Sequence, residues 1–353
     1  MSIPHHVTIK DIAQQLKVSI STVSRALRCG TDINEETRKL IQGVAKELNY
    51  SPNPIALSLK DKKTKVIGVI VQEIANNYCS STIAGIEDYA CKKGYNVLIS
   101  QSHEKFDAEL AATRLMASRR VDGLLISLSN ETRQVDHLKE IIEMGVPVVM
   151  FDRVSDNLDT HKVVVDDYQG AFDLTAHLIE SGYEQIAHLT ISKHLAITQN
   201  RLKGFLDACK AHNVKVNNDW IVYCDFNGRN IRKEIRKLLK GSHRPDALFC
   251  SVERLTMACI KELRDMGLRI PGDVALAGFS DNTLTPYLNP PLTSVIQPTF
   301  AIGQKAARLL IELIENKTMP ISFKTIRLKT SLSIQDSTRA LATGWNEGDM
   351  YDS

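Results

Sequence analysis

Between Ser19 and Leu27 the chain sets Ile20, Ser21, Thr22, Ser24 and Arg25 along one side of a short helical segment, with Val23, Ala26 and Leu27 along the other. Short hydroxyls and a single arginine make a surface that can enter a major groove and hydrogen-bond to base edges and phosphates; a long acidic face could not. As the outer face of an ordinary helical hairpin, so many Ser and Thr would weaken the helix without return.

The elements that must hold this surface are legible around it. Thr8 and Asp11 are spaced as a capping box, and Ile9, Ile12, Ala13 and Leu16 recur at helical spacing. A tight break falls at Lys17-Val18, and Ser19 is the second N-cap. The pair reads as a helix-turn-helix. A third helix starts at Asn34-Glu35-Glu36-Thr37 and runs to about Leu48, with Leu40, Ile41, Val44, Ala45 and Leu48 as its apolar side. Two prolines then break the chain before a short helical patch, Ile55 to Lys60, too short to hold itself together in water.

Charge separates this N-terminal stretch from the rest. Up to Lys65 there are eleven Lys/Arg against six Asp/Glu, a balance of +5, while the remainder carries 33 against 35, or −2. Only the first stretch has the electrostatics of a phosphate-binding surface. With 353 residues, 43% hydrophobic and 24% charged, the chain can fill two or three soluble domains. It has no apolar run of the ~18–20 residues a membrane span needs and no secretory signal near Met1, so a cytoplasmic protein is expected. Seven scattered cysteines lack paired metal-ligand spacing and read as reduced core thiols, with no metal site.

From Val66 the pattern becomes strand–helix alternation. Val66–Val71, Tyr95–Ser100, Gly123–Ser127 and Pro147–Phe151 read as strands between the helices Ser80–Lys93, Asp107–Arg119 and Thr132–Met144. A second set runs from the helix Tyr168–Ser181 through helices at Arg201–Ala211, Arg229–Leu239 and Leu255–Met266, with strands Gln185–Thr190, Ala247–Ser251 and Val274–Phe279. Such alternation implies two doubly wound α/β sub-domains, with a ligand crevice at the carboxyl ends of the strands. The last part, with helix Ala301–Glu315 and strands near Ile321–Leu328 and Leu332–Ile334, is too short for a third domain and finishes the other two.

The ordered stretches TIKDIAQQLKVSISTVSRAL, EETRKLIQGVAKELNYSPNPIALSL, VIGVIV, RRVDGLLI, PVVMFDR, NRLKGF, LRIPGDVALAGFSD and PLTSVIQPTFAIGQKAARLL resemble the lactose repressor/galactose repressor (LacI/GalR) family of bacterial transcription factors, over roughly residues 7 to 336. The resemblance implies an all-α DNA-binding headpiece (1–50), a hinge and linker (51–65), and a periplasmic-binding-protein-like core (66–336). The core's first sub-domain would cover about 66–163 plus 296–325 and its second about 164–295 plus 326–336, with chain crossings near Val163, Val295 and Ile326; a polar tail (337–353) follows.

Position by position, it implies base reading by Ile20, Ser21 and Arg25. Backbone contacts fall to Ser19, Thr22, Ser24, Thr37 and Asn53, and minor-groove insertion to the hinge residues Ala56 and Leu59. The effector site would be drawn from Asn76, Asn77, Tyr78, Asp152, Arg153, Asp166, Arg201, Ser280 and Asp281. The resemblance implies that Arg201 grips the effector, and a planar guanidinium suits sugar hydroxyls, carboxylates or phosphate. The chain departs from the family pattern at Lys17, at Cys79, at Val252-Glu253 where Asn-Asp is usual, and at Ser280 where Asp is common; these leave effector chemistry open.

The implied function is a sequence-specific regulator, acting as a repressor of carbohydrate-related genes, binding a pseudo-palindromic operator as a homodimer, with a small carbohydrate-related effector and no cofactor. A purine or phosphorylated sugar is the alternative effector, and a plain solute-binding protein the alternative role, which the first 60 residues contradict. No Walker loop, Gly-x-Ser-x-Gly elbow or His-Glu-x-x-His helix is present, so catalysis is not expected.

Overall fold

The computed structural model describes residues 7–27, 33–48, 50, 63–224, 228–240, 243–280, 285–316 and 322–339. Contacts divide the chain into two units, Met1–Lys65 and Val66–Ser353. The hinge patch, with Asn53, Ala56 and Leu59, lies outside the described residues, as does Asp281.

In the first unit, α1 (Ile9–Gln15), α2 (Ile20–Leu27) and α3 (Glu35–Glu47) enclose a small core of Ile12, Ala13, Val23, Ala26, Ile41 and Ala45. Helices this short are marginal in water, so the shared core and the caps hold them. The backbone N–H and the hydroxyl of Thr8 both donate to Asp11 Oδ2, at 2.7 and 2.8 Å. Asn34 Oδ1 accepts from Glu36 N at 2.9 Å at the start of α3. Lys17 takes the left-handed conformation itself (φ 53°) in the turn between α1 and α2, so the absence of glycine there does not undo the turn.

The second unit has two lobes. Its elements run β1 (Val66–Val71), α4 (Asn77–Lys92), β2 (Asn96–Gln101), α5 (Phe106–Ser118), β3 (Gly123–Ile126), α6 (Asp136–Glu143), β4 (Val148–Phe151), β5 (His161–Val165), α7 (Asp167–Glu180), β6 (Ile186–Thr190), α8 (Ala196–Ala211), β7 (Ile221–Tyr223), α9 (Gly228–Leu239), β8 (Ala247–Cys250), α10 (Glu253–Asp265), β9 (Ala275–Phe279), β10 (Thr293–Ile296), α11 (Thr299–Asn316), β11 (Thr325–Leu328) and β12 (Ser331–Ser333). One sheet has the order β11-β5-β4-β3-β1-β2, the other β12-β10-β9-β8-β6-β7. Among the described residues every pairing is parallel except β10 with β12. Apolar clusters cover both faces of each sheet, which is why β1 and β9 are apolar throughout.

Three sequence expectations are corrected. Strand β11 pairs with β5 (Ile326 beside Val163), so the first lobe extends through Leu328 and a boundary at 326 would cut a strand. Helix α8 begins at Ala196, putting Arg201 in its second turn rather than at its start. The third helix of the first lobe begins at Asp136, with Thr132 in the turn before it, its hydroxyl bonded to buried Glu109 at 2.9 Å.

Helices α4 and α11 cross at two glycines. A Cβ on Gly85 would fall 2.0 Å from Phe300 O, and one on Gly303 2.1 Å from Thr82 O. No other residue allows the backbones so close, and this contact fixes α4, whose first turn lines the cavity described next.

Candidate functional site

On the headpiece, Ile20 (47% exposed), Ser21 and Arg25 share the outer face of α2, while Val23 and Ala26 are buried beneath. Ser19 Oγ accepts from Thr22 N at 3.1 Å, capping α2, and shares hydrogen bonds with Ser21 Oγ (2.7 Å) and Thr22 Oγ1 (2.8 Å). The hydroxyls are thereby ordered across the first turn. Arg25 Nε donates to Ser21 O at 3.4 Å, which lays the guanidinium along the same face. Thr22 and Ser24 are half-buried at the flanks, and Thr37 is half-buried in the first turn of α3. Such a face offers donors and acceptors of the kind base edges and phosphates require.

Between the lobes of the second unit lies a cavity of about 800 Å³. Its first-lobe wall carries Asn76, Asn77 and Tyr78 at the start of α4, with Glu104, Asp152 and Arg153 at strand ends; the second lobe supplies Arg201, Phe279 and Ser280. Asn76 also caps α4, accepting from Tyr78 N at 2.8 Å.

Arg201 is only 3% exposed and heavily engaged. Its Nε and Nη2 reach Asp167 Oδ1 at 2.7 and 2.6 Å, Nη2 reaches Gln297 Oε1 at 3.1 Å, and Nη1 donates to Ser251 O. Its guanidinium lies 3.7 Å from the Phe279 ring centroid. Burial pushes the Asp167 carboxyl's pKa up, and the charge and hydrogen bond of Arg201 offset part of that rise. An exposed helix-start arginine would have none of these partners. Arg153 is held in the same manner: Nη1 and Nη2 grip Glu104 Oε2 and Oε1 at 2.6 and 3.0 Å, and although burial works against its charge, Glu104 carries its pKa up.

Asp152 lies beside both arginines and accepts from Ser127 Oγ at 2.9 Å. Burial raises its pKa, while Arg153, Arg201 and hydrogen bonds from Ser127 and Tyr78 pull it down. Asp152 (φ 58°), His103 (49°) and Glu104 (62°) all hold the left-handed backbone conformation. Of these, Glu104 and Asp152 line the cavity, and non-glycine residues in this region cluster at functional clefts. Burial drives the Cys79 thiol up to about 12, so it lines the cavity as a neutral group.

Asp166 is not part of this wall. Its carboxylate caps α7, accepting from Gln169 N at 3.3 Å, and the neighbouring Asp167 is the one turned to Arg201. The family resemblance points to Asp166, but of these two adjacent aspartates at the strand-to-helix junction the fold uses Asp166 as the cap and Asp167 as the partner of Arg201. Glu104, Asp167, Ser127 and Gln297 were all missed; the usable signal for Glu104 was its place after the carboxyl end of β2, where open α/β sheets bind ligands. His188 is buried against Phe205 and Phe249 at ring-centroid distances of 5.0 and 4.7 Å. Burial, with the Arg201 charge adding to it, lowers its pKa to about 3.

An exposed-face helix-turn-helix joined to a two-lobed ligand-binding core defines a ligand-responsive DNA-binding regulator. Residues 8–53 match the family of bacterial regulatory proteins of the lacI type, and residues 175–338 match the periplasmic binding protein-like domain. The chain is 33% identical over 311 residues to the HTH-type transcriptional repressor PurR of Aliivibrio salmonicida, covering 88% of this chain and 93% of that one. It is 31% identical to catabolite control protein A of Priestia megaterium, covering 95% and 100%. Among solved structures, the complex of the transcriptional regulator CelR with cellobiose superposes with a TM-score of 0.70 at 27% identity, covering 94% of this chain and 99% of that one. The chain belongs to the LacI family of DNA-binding transcriptional regulators. Among the described residues no helix is long and apolar enough to cross a membrane.

Proposed function

We propose that the chain represses carbohydrate-related genes by binding a pseudo-palindromic operator as a homodimer, and that a small ligand in the cavity around Arg201 changes its operator affinity. Ile20, Ser21 and Arg25 read base edges; Ser19, Thr22, Ser24, Thr37 and Asn53 hold the phosphate backbone; Ala56 and Leu59 serve the hinge in the minor groove. One recognition helix covers only a few base pairs, so competition with genomic DNA calls for two half-sites. The protein works by binding rather than by catalysis, like its named relatives, which are regulators. The carbohydrate assignment draws support from relatives named a catabolite control protein and, in Haemophilus influenzae, a ribose operon repressor, and from the cellobiose complex of CelR.

The observation that carries the reading is the Arg201–Gln297 hydrogen bond of 3.1 Å. Gln297 follows β10 and precedes α11, on the segment by which the chain passes from the second lobe to the first. A ligand competing for Arg201 therefore acts on a lobe connection, and by linkage ligand and operator affinities change together, by about 1–3 kcal/mol in typical cases. The test is operator selection from random duplexes, followed by light scattering and fluorescence anisotropy with and without ligands identified by thermal shift. A dimer whose operator affinity responds to a cavity ligand is expected. A monomer on DNA, or a bound ligand without effect on operator affinity, overturns the corresponding half.

A further inference from the structure

The charges around the cavity do not favour an anion, despite its three arginines. Two guanidiniums are already matched from within the protein: Arg153 by both oxygens of Glu104, and Arg201 by Asp167, all within 2.6–3.0 Å. Asp152 lines the same cavity as a further carboxylate, next in sequence to Arg153 and accepting from Ser127 Oγ at 2.9 Å. Glu73, Glu253 and Arg254 line the cavity as well. The cavity lining thus holds four carboxylates and three guanidiniums, with Asp167 directly behind Arg201. A phosphate or carboxylate entering here meets no surplus of positive charge, and like charges at short range in a partly dehydrated site repel strongly. A polyhydroxyl ligand, by contrast, finds acceptors in Asp152 and Ser280 and donors in Asn76 and Asn77, and an ammonium group finds a compensating carboxylate.

Resting on the reading of this cavity as the effector site, we infer that it admits uncharged or amine-bearing polyhydroxyl ligands and turns away phosphates and carboxylates, and that Asp152 sets this charge preference. The backbone supports the assignment. Asp152 is held in a left-handed conformation (φ 58°) at the end of β4. Its backbone N–H donates to Val163 O at 3.0 Å and its carboxylate accepts from Ser127 Oγ at 2.9 Å, so the side chain is held in place at the cavity wall.

Asp152→Asn is the discriminating variant, because asparagine tolerates the left-handed region and keeps the acceptor for Ser127 while removing the charge. Full-length protein is titrated by calorimetry and thermal shift with matched series: glucose, glucosamine, glucuronate and glucose 6-phosphate; ribose and ribose 5-phosphate; cellobiose and cellobionate. The neutral or amino member should bind at least about tenfold tighter than its anionic counterpart, and Asp152→Asn should reduce that ratio by about tenfold, chiefly by improving the anion. Met257→Trp, which fills the cavity, should abolish both. An anionic member binding as tightly as its neutral counterpart, with Met257→Trp still abolishing it, overturns the charge preference and leaves the cavity reading intact. A ratio unchanged in Asp152→Asn removes Asp152 from the role. Silence of every series overturns the inference together with the cavity reading, whereas a neutral ligand that binds without changing operator affinity sustains the inference and overturns the regulatory reading.

Discussion

Arg201 Nε and Asp167 Oδ1 stand 2.7 Å apart, with the arginine 3% and the aspartate 2% exposed, so the pair links the second turn of α8 to the first residue of α7 with almost no water around it. Removing one member leaves the other charge buried and unmatched, the case in which a buried ion pair costs most. Asp167→Ala should lower unfolding stability by about 3–5 kcal/mol in urea titrations. A loss below about 1 kcal/mol would mean that Ser251 O and Gln297 hold the guanidinium unaided.

Arg25→Ala should relax base preference at one symmetric pair of operator positions, at a cost of about 1–3 kcal/mol for each bidentate arginine–base pair removed. Thr22→Val, at the half-buried flank, should weaken all sequences alike. Both are read by binding-site selection followed by anisotropy. The same uniform loss in the two variants would remove Arg25 from base reading.

The glycine crossing of α4 and α11 predicts an asymmetric tolerance. Gly303→Ala would place a methyl 2.1 Å from Thr82 O, a backbone atom that cannot turn away. It should destabilise the core by about 1–3 kcal/mol or more, through forced separation of the helices. Gly43→Ala, whose new methyl meets nothing within 4 Å on α3, should instead stabilise by about 1 kcal/mol through helix propensity. Melting temperatures of the two variants check both signs.

His188 sets an acid sensitivity whose direction follows from its burial. Its pKa is about 3 in the folded protein, against about 6.5 in an unfolded chain. Between those values the unfolded state binds a proton that the folded state does not, so stability falls as pH falls, by about 1.4 kcal/mol per pH unit. The wild type should therefore lose about 2 kcal/mol through this residue between pH 6.5 and pH 5, and His188→Leu should escape that loss. Urea unfolding at pH 7.5 and 5.0 measures it; equal losses in the two proteins would show that other groups govern the acid limb.

The alternating strands and helices were readable because strands buried on both faces appear as unbroken apolar runs, as in Val66–Val71 and Ala275–Phe279. The headpiece was readable because its caps are local: Thr8 and Asp11 lie three residues apart. The cavity chemistry was not, since its pairs join distant positions. Arg153 meets Glu104 across 49 residues and Arg201 meets Gln297 across 96. Local pattern also failed at the start of α8, where Leu195 offers no capping side chain and the helix had to be entered by apolar packing of Ile197. Strand β7 spans only three residues and is half-buried, too short to show alternation.

The late return of the chain to its first lobe bears on how the protein is made. Helix α11 supplies Ile302, Ala306, Ala307, Leu310 and Ile311 to the apolar layer on one face of the first sheet, and β11 and β12 complete the edges of both sheets. On the ribosome the headpiece is finished with its own small core after fewer than 65 residues, whereas the first lobe waits, one face covered only in part by α4, until more than 230 further residues have been added. Every nascent chain thus carries a complete reading head before it has a core able to regulate it, and a transcript truncated ahead of α11 would release that head without its control.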